Sequence, residues 1–117
     1  MKTNINPLRG DIWLVDLDPT VGHEQGKKRP CLIVSANKFN RSHAGLVTLI
    51  PITSKDKKIP WHVMIAPPEG GLKIKSFAMC EQVGTFSKER FSGALIGTVD
   101  APTLEKVEQR LRLLLEL

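Results

Sequence analysis

Runs of β-branched and large apolar residues, five to eight residues long and closed off by proline, glycine or serine, set the strongest limit on what this chain can become. They fall at residues 12–17 (Ile-Trp-Leu-Val-Asp-Leu), 31–35, 46–52, 61–66, 76–83 and 94–99. Between them lie Asp-Pro, Arg-Pro, Pro-Ile-Thr-Ser, Pro-Pro-Glu-Gly-Gly and Arg-Phe-Ser-Gly, all turn chemistry. Such runs are too short for helices and too apolar for loops, so they read as strands. Their spacing predicts a small, strongly curved antiparallel barrel.

The tail changes period. From Thr103 onward, Leu104, Val107, Leu111 and Leu114 recur at three- and four-residue intervals, which puts them on one face of an amphipathic helix. Asp100 or Thr103 is suited to cap its start, and Pro102 to its first turn. Leu113, Leu115 and Leu117 widen the stripe, so the helix either packs on the barrel or meets a partner subunit.

No repeat, low-complexity tract or linker interrupts the 117 residues, which are expected to form one domain with a core large enough to need neither disulfide nor metal. Cys31 and Cys80 sit inside apolar runs and read as small buried hydrophobes. No apolar stretch reaches signal-peptide or membrane-span length, so a cytosolic protein is expected, without a membrane partner. A formal net charge of +5 suits a polyanion such as nucleic acid, although a solvated lysine face would produce the same number.

Two connections stand out. The segment Asp18-Pro-Thr-Val-Gly-His-Glu-Gln-Gly-Lys-Lys-Arg-Pro30 is too long and polar for a tight hairpin and reads as a functional loop. The segment Thr53-Ser-Lys-Asp-Lys-Lys-Ile-Pro60 sets Lys55, Lys57 and Lys58 beside the hydroxyls of Thr53 and Ser54, as a phosphate-contacting edge or an ordinary lysine-decorated hairpin would. His23, His43, His62 and the cysteines lack the short ligand spacings of zinc sites, and no paired-aspartate motif suggests magnesium. Neither a metal nor a cofactor is expected.

What remains suits phosphodiester cleavage by an RNA's own 2′-hydroxyl. That reaction needs a proton acceptor, a donor for the leaving oxygen, and cationic hydrogen-bonding groups for charge on the phosphoryl oxygens. Arg29 carries a planar fork able to hold two phosphate oxygens, yet local sequence reads it more simply as a charged residue opening a strand before Pro30. Thr53 can donate a hydroxyl or merely satisfy its own turn. Glu24 can accept the 2′-proton or sit solvated, and His23, which titrates near neutrality, is the tempting alternative. His62, within an apolar run, reads as a satisfied strand histidine, while Phe39 and Phe86 are weak candidates for base stacking.

The stretch from Arg9-Gly-Asp-Ile-Trp-Leu-Val-Asp-Leu-Asp-Pro through Gly-His-Glu-Gln-Gly-Lys-Lys-Arg-Pro-Cys-Leu-Ile-Val-Ser35 resembles the opening of the MazF/PemK toxin family. The resemblance continues through Pro51-Ile-Thr-Ser54, Ser76-Phe-Ala-Met-Cys-Glu-Gln-Val83 and the terminal helix. It implies an SH3-like small barrel with a C-terminal helix, paired as a homodimer. It also implies metal-independent cutting of single-stranded RNA at short motifs, leaving a 2′,3′-cyclic phosphate and a 5′-hydroxyl. A cognate antitoxin would block the RNA groove with a disordered C-terminal segment.

Carried over by motif, Arg29 and Thr53 match the catalytic arginine and threonine, and Glu24 matches a loop glutamate given a catalytic role in some members. His23, Gln25, Lys27, Lys28, Ser54, Lys55, Lys57 and Gln82 are the expected RNA contacts. Two residues depart from the family pattern: His23 stands where a small residue is common, and Glu81 where aspartate precedes glutamine. Relatives of the same barrel type that poison DNA gyrase act through a C-terminal tryptophan, whereas this chain ends Leu-Leu-Leu-Glu-Leu.

Overall fold

The computed structural model describes residues 5–18 and 27–117. Its strands are β1 (Asp11–Asp16), β2 (Lys28–Ile33), β3 (Leu46–Thr53), β4 (His62–Ile65), β5 (Ser76–Met79), β6 (Gly84–Ser87) and β7 (Phe91–Thr98), all paired antiparallel. A short helix α1 (Asn37–Asn40) links β2 to β3, and α2 (Ala101–Leu115) closes the chain. The strand order is β4-β5-β3-β2-β1-β7. β3 serves two neighbours on one edge, β6 along Leu46–Leu49 and β5 at Ile52 and Thr53, which bends the sheet into the expected SH3-like barrel.

The near-continuous apolar runs are explained by burial on both faces of the sheet. Ile12, Leu32, Ile50 and Ile52 face one core, shared with β4, β5 and α2. Their neighbours Trp13, Val15, Cys31, Ile33, Val47 and Leu49 face the other, closed by Phe91 and Phe86. Successive side chains of a strand point to opposite faces, so a strand between two cores has no polar face to offer.

In α2 the Asp100 side chain accepts from the Thr103 backbone N–H at 3.0 Å, so of the two expected candidates Asp100 is the cap, and the helix opens at Ala101 with Pro102 in its first turn. Val107 is fully buried, with Leu104, Leu111 and Leu114 packed beside it on the first core. Leu113, Leu115 and Leu117 stay exposed. The run 76–83 is not one strand: it breaks after Met79 into a 3-10 turn, Cys80–Gln82, and β6 follows where no strand was expected. The break lets β5 and β6 pair with different stretches of β3. β2 starts three residues earlier than the sequence suggests, at Lys28, and β7 likewise, at Phe91. No helix among the described residues is long and apolar enough to cross a membrane.

Candidate active site

The pairing of β2 with β3 matches Cys31 to Pro51, Leu32 to Ile50 and Ile33 to Leu49. The same register carried two residues outward sets Arg29 across from Thr53. Here the sheet brings together two residues that the sequence separates. Arg29 is half-buried and its Nη1 donates to the Ile52 carbonyl at 3.3 Å, which steadies the guanidinium against the end of β3. Thr53 is buried at 7% exposure, and its Oγ1 accepts from the Lys55 backbone N–H at 3.2 Å. A hydroxyl carries two acceptor lone pairs and one donor, so that bond leaves the Thr53 O–H proton free to point elsewhere.

Both residues line a cavity of about 490 Å³, together with Pro30, Ile52, Ser54 and Lys55 on the sheet side. The rest of the lining is Gly71, Leu72, Lys73 and Ile74, with Ser76 and Ile96. Three cations, Arg29, Lys55 and Lys73, therefore surround a partly apolar hollow. The volume falls within the roughly 300–1,000 Å³ typical of small-ligand sites.

Of the expected site residues, Arg29, Thr53, Ser54 and Lys55 meet at this cavity. Lys27, Lys28 and Lys57 are exposed on the flanking segments and are not in its lining, and Gln82 is half-buried in the 3-10 turn after β5. His23, Glu24 and Gln25 lie outside the described residues. The ends of their segment are closed by hydrogen bonds: Leu17 N–H donates to the Lys27 carbonyl at 3.0 Å, Lys27 N–H to Asp18 Oδ1 at 2.9 Å, and Arg90 Nη1 to the Asp18 carbonyl at 2.7 Å.

His62 is only half satisfied. Its Nε2 pairs with Glu81 Oε2 at 2.9 Å, while Nδ1 is buried with no protein partner. Glu81, one of the two departures from the family pattern, thus spends its carboxylate on His62 and is absent from the cavity lining. Phe86 is covered by the Arg90 guanidinium 5.7 Å from its ring centre, and neither Phe86 nor the exposed Phe39 lines the cavity. Among the described residues no three His, Cys, Asp or Glu side chains gather as a cation would require. Burial pushes the thiols of Cys31 and Cys80 up to about 12, with Arg29 working against the shift at Cys31.

The residues that sequence reasoning missed are Lys73, Ile74 and Ser76. Their signal was present as Leu72-Lys-Ile-Lys-Ser76 after the Gly70-Gly71 pair, a mostly polar turn with an exposed apolar residue between two lysines.

The sequence model of the family described as "PemK-like, MazF-like toxin of type II toxin-antitoxin system" matches residues 8–115. Endoribonuclease MazF9 of Mycobacterium tuberculosis is 36% identical over 114 residues, covering 93% of this chain and 96% of the relative. The crystal structure of MazF from Deinococcus radiodurans superposes with a TM-score of 0.87 at 24% identity, covering 97% of this chain and all of that one. A mycobacterial endoribonuclease solved in complex with its cognate antitoxin is 27% identical with a TM-score of 0.75, over 98% of this chain and 97% of that one. The chain belongs to the PemK-like, MazF-like toxin family of type II toxin-antitoxin systems.

Proposed function

We propose that this protein is an endoribonuclease toxin that cleaves single-stranded RNA without a metal, using Arg29 and Thr53 to hold the scissile phosphate. The observation that carries the reading is the meeting of Arg29 and Thr53 in one cation-rimmed cavity. The endoribonuclease names of its relatives agree with it.

In this mechanism the RNA's 2′-oxygen attacks the adjacent phosphorus while its proton passes to a base, Glu24 or His23. The P–O5′ bond breaks and the 5′-oxygen takes up a proton from solvent water, which gives a 2′,3′-cyclic phosphate and a 5′-hydroxyl. Arg29 and the Thr53 hydroxyl stabilise the charge on the non-bridging oxygens, a task that fixed donors perform best in a partly dry cavity. Lys27, Lys28, Lys55, Lys57, Ser54, Gln25 and Gln82 contact the flanking strand.

The active species is a homodimer in the cytoplasm, and the exposed Leu113, Leu115 and Leu117 at the end of α2 support a self-pairing surface. A cognate antitoxin neutralises it by covering the RNA groove. The mycobacterial relative solved with its antitoxin supports this part.

The test is brief incubation of purified protein with a mixed single-stranded RNA, with and without excess EDTA, followed by sequencing and end-group analysis of the products. Cuts at a short motif, unaffected by EDTA and ending in a cyclic phosphate, are expected. Intact RNA, or cleavage that EDTA stops, would overturn the reading.

A further inference from the structure

The segment that shares the cavity lining with Arg29 and Thr53 is built with more care than a connecting bend requires. Its approach is the 3-10 turn Glu69–Gly71, in which Gly70 and Gly71 hold φ of +67° and +73°. That backbone lies directly against β7: a Cβ at Gly71 would overlap the Ile96 carbonyl, and one at Gly97 would overlap Gly70. Only glycine permits both the positive φ and so close an approach. The Asp100 backbone N–H donates to Glu69 Oε2 at 3.0 Å and ties the same turn to the start of α2. Leu72 is buried beneath it at 8% exposure.

What this anchored turn presents is Lys73 and Ile74. Ile74 is 60% exposed, an unusual cost for an apolar side chain at the tip of a lysine-flanked bend, yet it lines the cavity with Leu72, Pro30 and Ile96. The polar side chains around that apolar surface are cations and hydroxyls; Arg29, Thr53, Ser54, Lys55 and Lys73 can donate into it, while the Ser76 hydroxyl proton is already given to the Ile74 carbonyl. Two carbonyls nearby are already accepting, Ile52 from Arg29 and Ile74 from the Ser76 hydroxyl at 2.9 Å.

Resting on the endoribonuclease reading above, we propose that the bend 72–75 is the specificity wall of the site. Ile74 and Leu72 carry the face of one unstacked base beside the scissile phosphate, and Lys73 holds an adjoining phosphate. The base is one whose edge presents carbonyl oxygens to these donors, uracil or guanine. An apolar face is sequence-tolerant on its own, so the choice of base comes from the edge chemistry.

The experiment compares cut-end profiles of wild type, Ile74→Ala and Lys73→Gln on one mixed RNA pool. It adds kcat/KM on the preferred sequence and the salt dependence of binding to that sequence carrying a 2′-deoxy block at the cut. Wild type should show uracil or guanine at a position flanking the cut. Ile74→Ala should lose about tenfold in kcat/KM and flatten the preference there while leaving the other positions unchanged. Lys73→Gln should keep the base preference and lower the log–log salt slope by about 0.7, the share of one single-strand phosphate. Both side chains are exposed, so neither change threatens folding; should Ile74→Ala melt early, Lys73→Gln and the wild-type profile still decide. An Ile74→Ala enzyme with the wild-type profile and rate, an unchanged slope in Lys73→Gln, or adenine or cytosine at both flanking positions would overturn this proposal while leaving the endoribonuclease reading intact. Absence of any wild-type cleavage would overturn that reading, and this one with it.

Discussion

Replacing Thr53 by valine removes one hydroxyl and keeps the side-chain shape. In the structure that hydroxyl has two tasks: it accepts from the Lys55 N–H at 3.2 Å and, in the proposed mechanism, donates to a phosphoryl oxygen. The first task costs little to lose, because Lys55 is exposed and its N–H can turn to water, so the fold should weaken by less than about 1 kcal/mol. The second is a hydrogen bond to a charged group, worth roughly 1.5–3 kcal/mol. At 1.36 kcal/mol per factor of ten, kcat/KM should fall about 10- to 150-fold. Thr53→Ser, which keeps the hydroxyl, should recover most of the loss. The assay is cleavage of a fluorogenic single-stranded RNA under subsaturating conditions, alongside thermal melts of each variant. A Thr53→Val enzyme within twofold of wild type would show that the hydroxyl does not touch the reacting phosphate.

Three further outcomes follow from the packing. Val107→Ala opens a hole between α2 and the first core and should destabilise the fold by about 2–3 kcal/mol in urea melts, since Val107 is fully buried. Cys31 and Cys80, with thiols pushed up to about 12 by burial, should stay unreactive to a disulfide reagent at pH 8 in the native protein, and both should react after unfolding. The Thr103 N–H holds the Asp100 carboxyl below its usual range, so the cap's stabilisation is present above about pH 4 and is lost as pH falls through the depressed value. The melting difference between wild type and Asp100→Ala should therefore shrink on acidification, and a constant difference would refute the cap.

The strands and the terminal helix were legible because short apolar runs closed by turn residues mark strands held between two cores, and a 3.6-residue period marks a helix that borders one. Boundaries failed where pattern and pairing part company. Residues 76–83 read as one apolar run, yet β3 has different partners along its edge, so the chain must break at Cys80 to supply both β5 and β6. Arg29 and Thr53 could each be singled out as capable of holding a phosphate, but nothing local says that they face each other. That follows from the β2–β3 register, a property of pairing. Lys73 and Ile74 escaped notice for the same reason: a bend after Gly-Gly becomes a cavity wall only once β7 is seen packed against those glycines. The partnership of His62 with Glu81 was likewise invisible, being a contact between β4 and the turn after β5.

The central claim, that Arg29 holds the reacting phosphate, is tested most directly by Arg29→Ala assayed on single-stranded RNA, with circular dichroism and melting as controls for folding. The account predicts a folded variant whose kcat/KM has dropped by at least about 10²–10³-fold, the scale of losing a fixed donor to a developing oxyanion. A folded Arg29→Ala protein that still cuts RNA at the wild-type rate would contradict it.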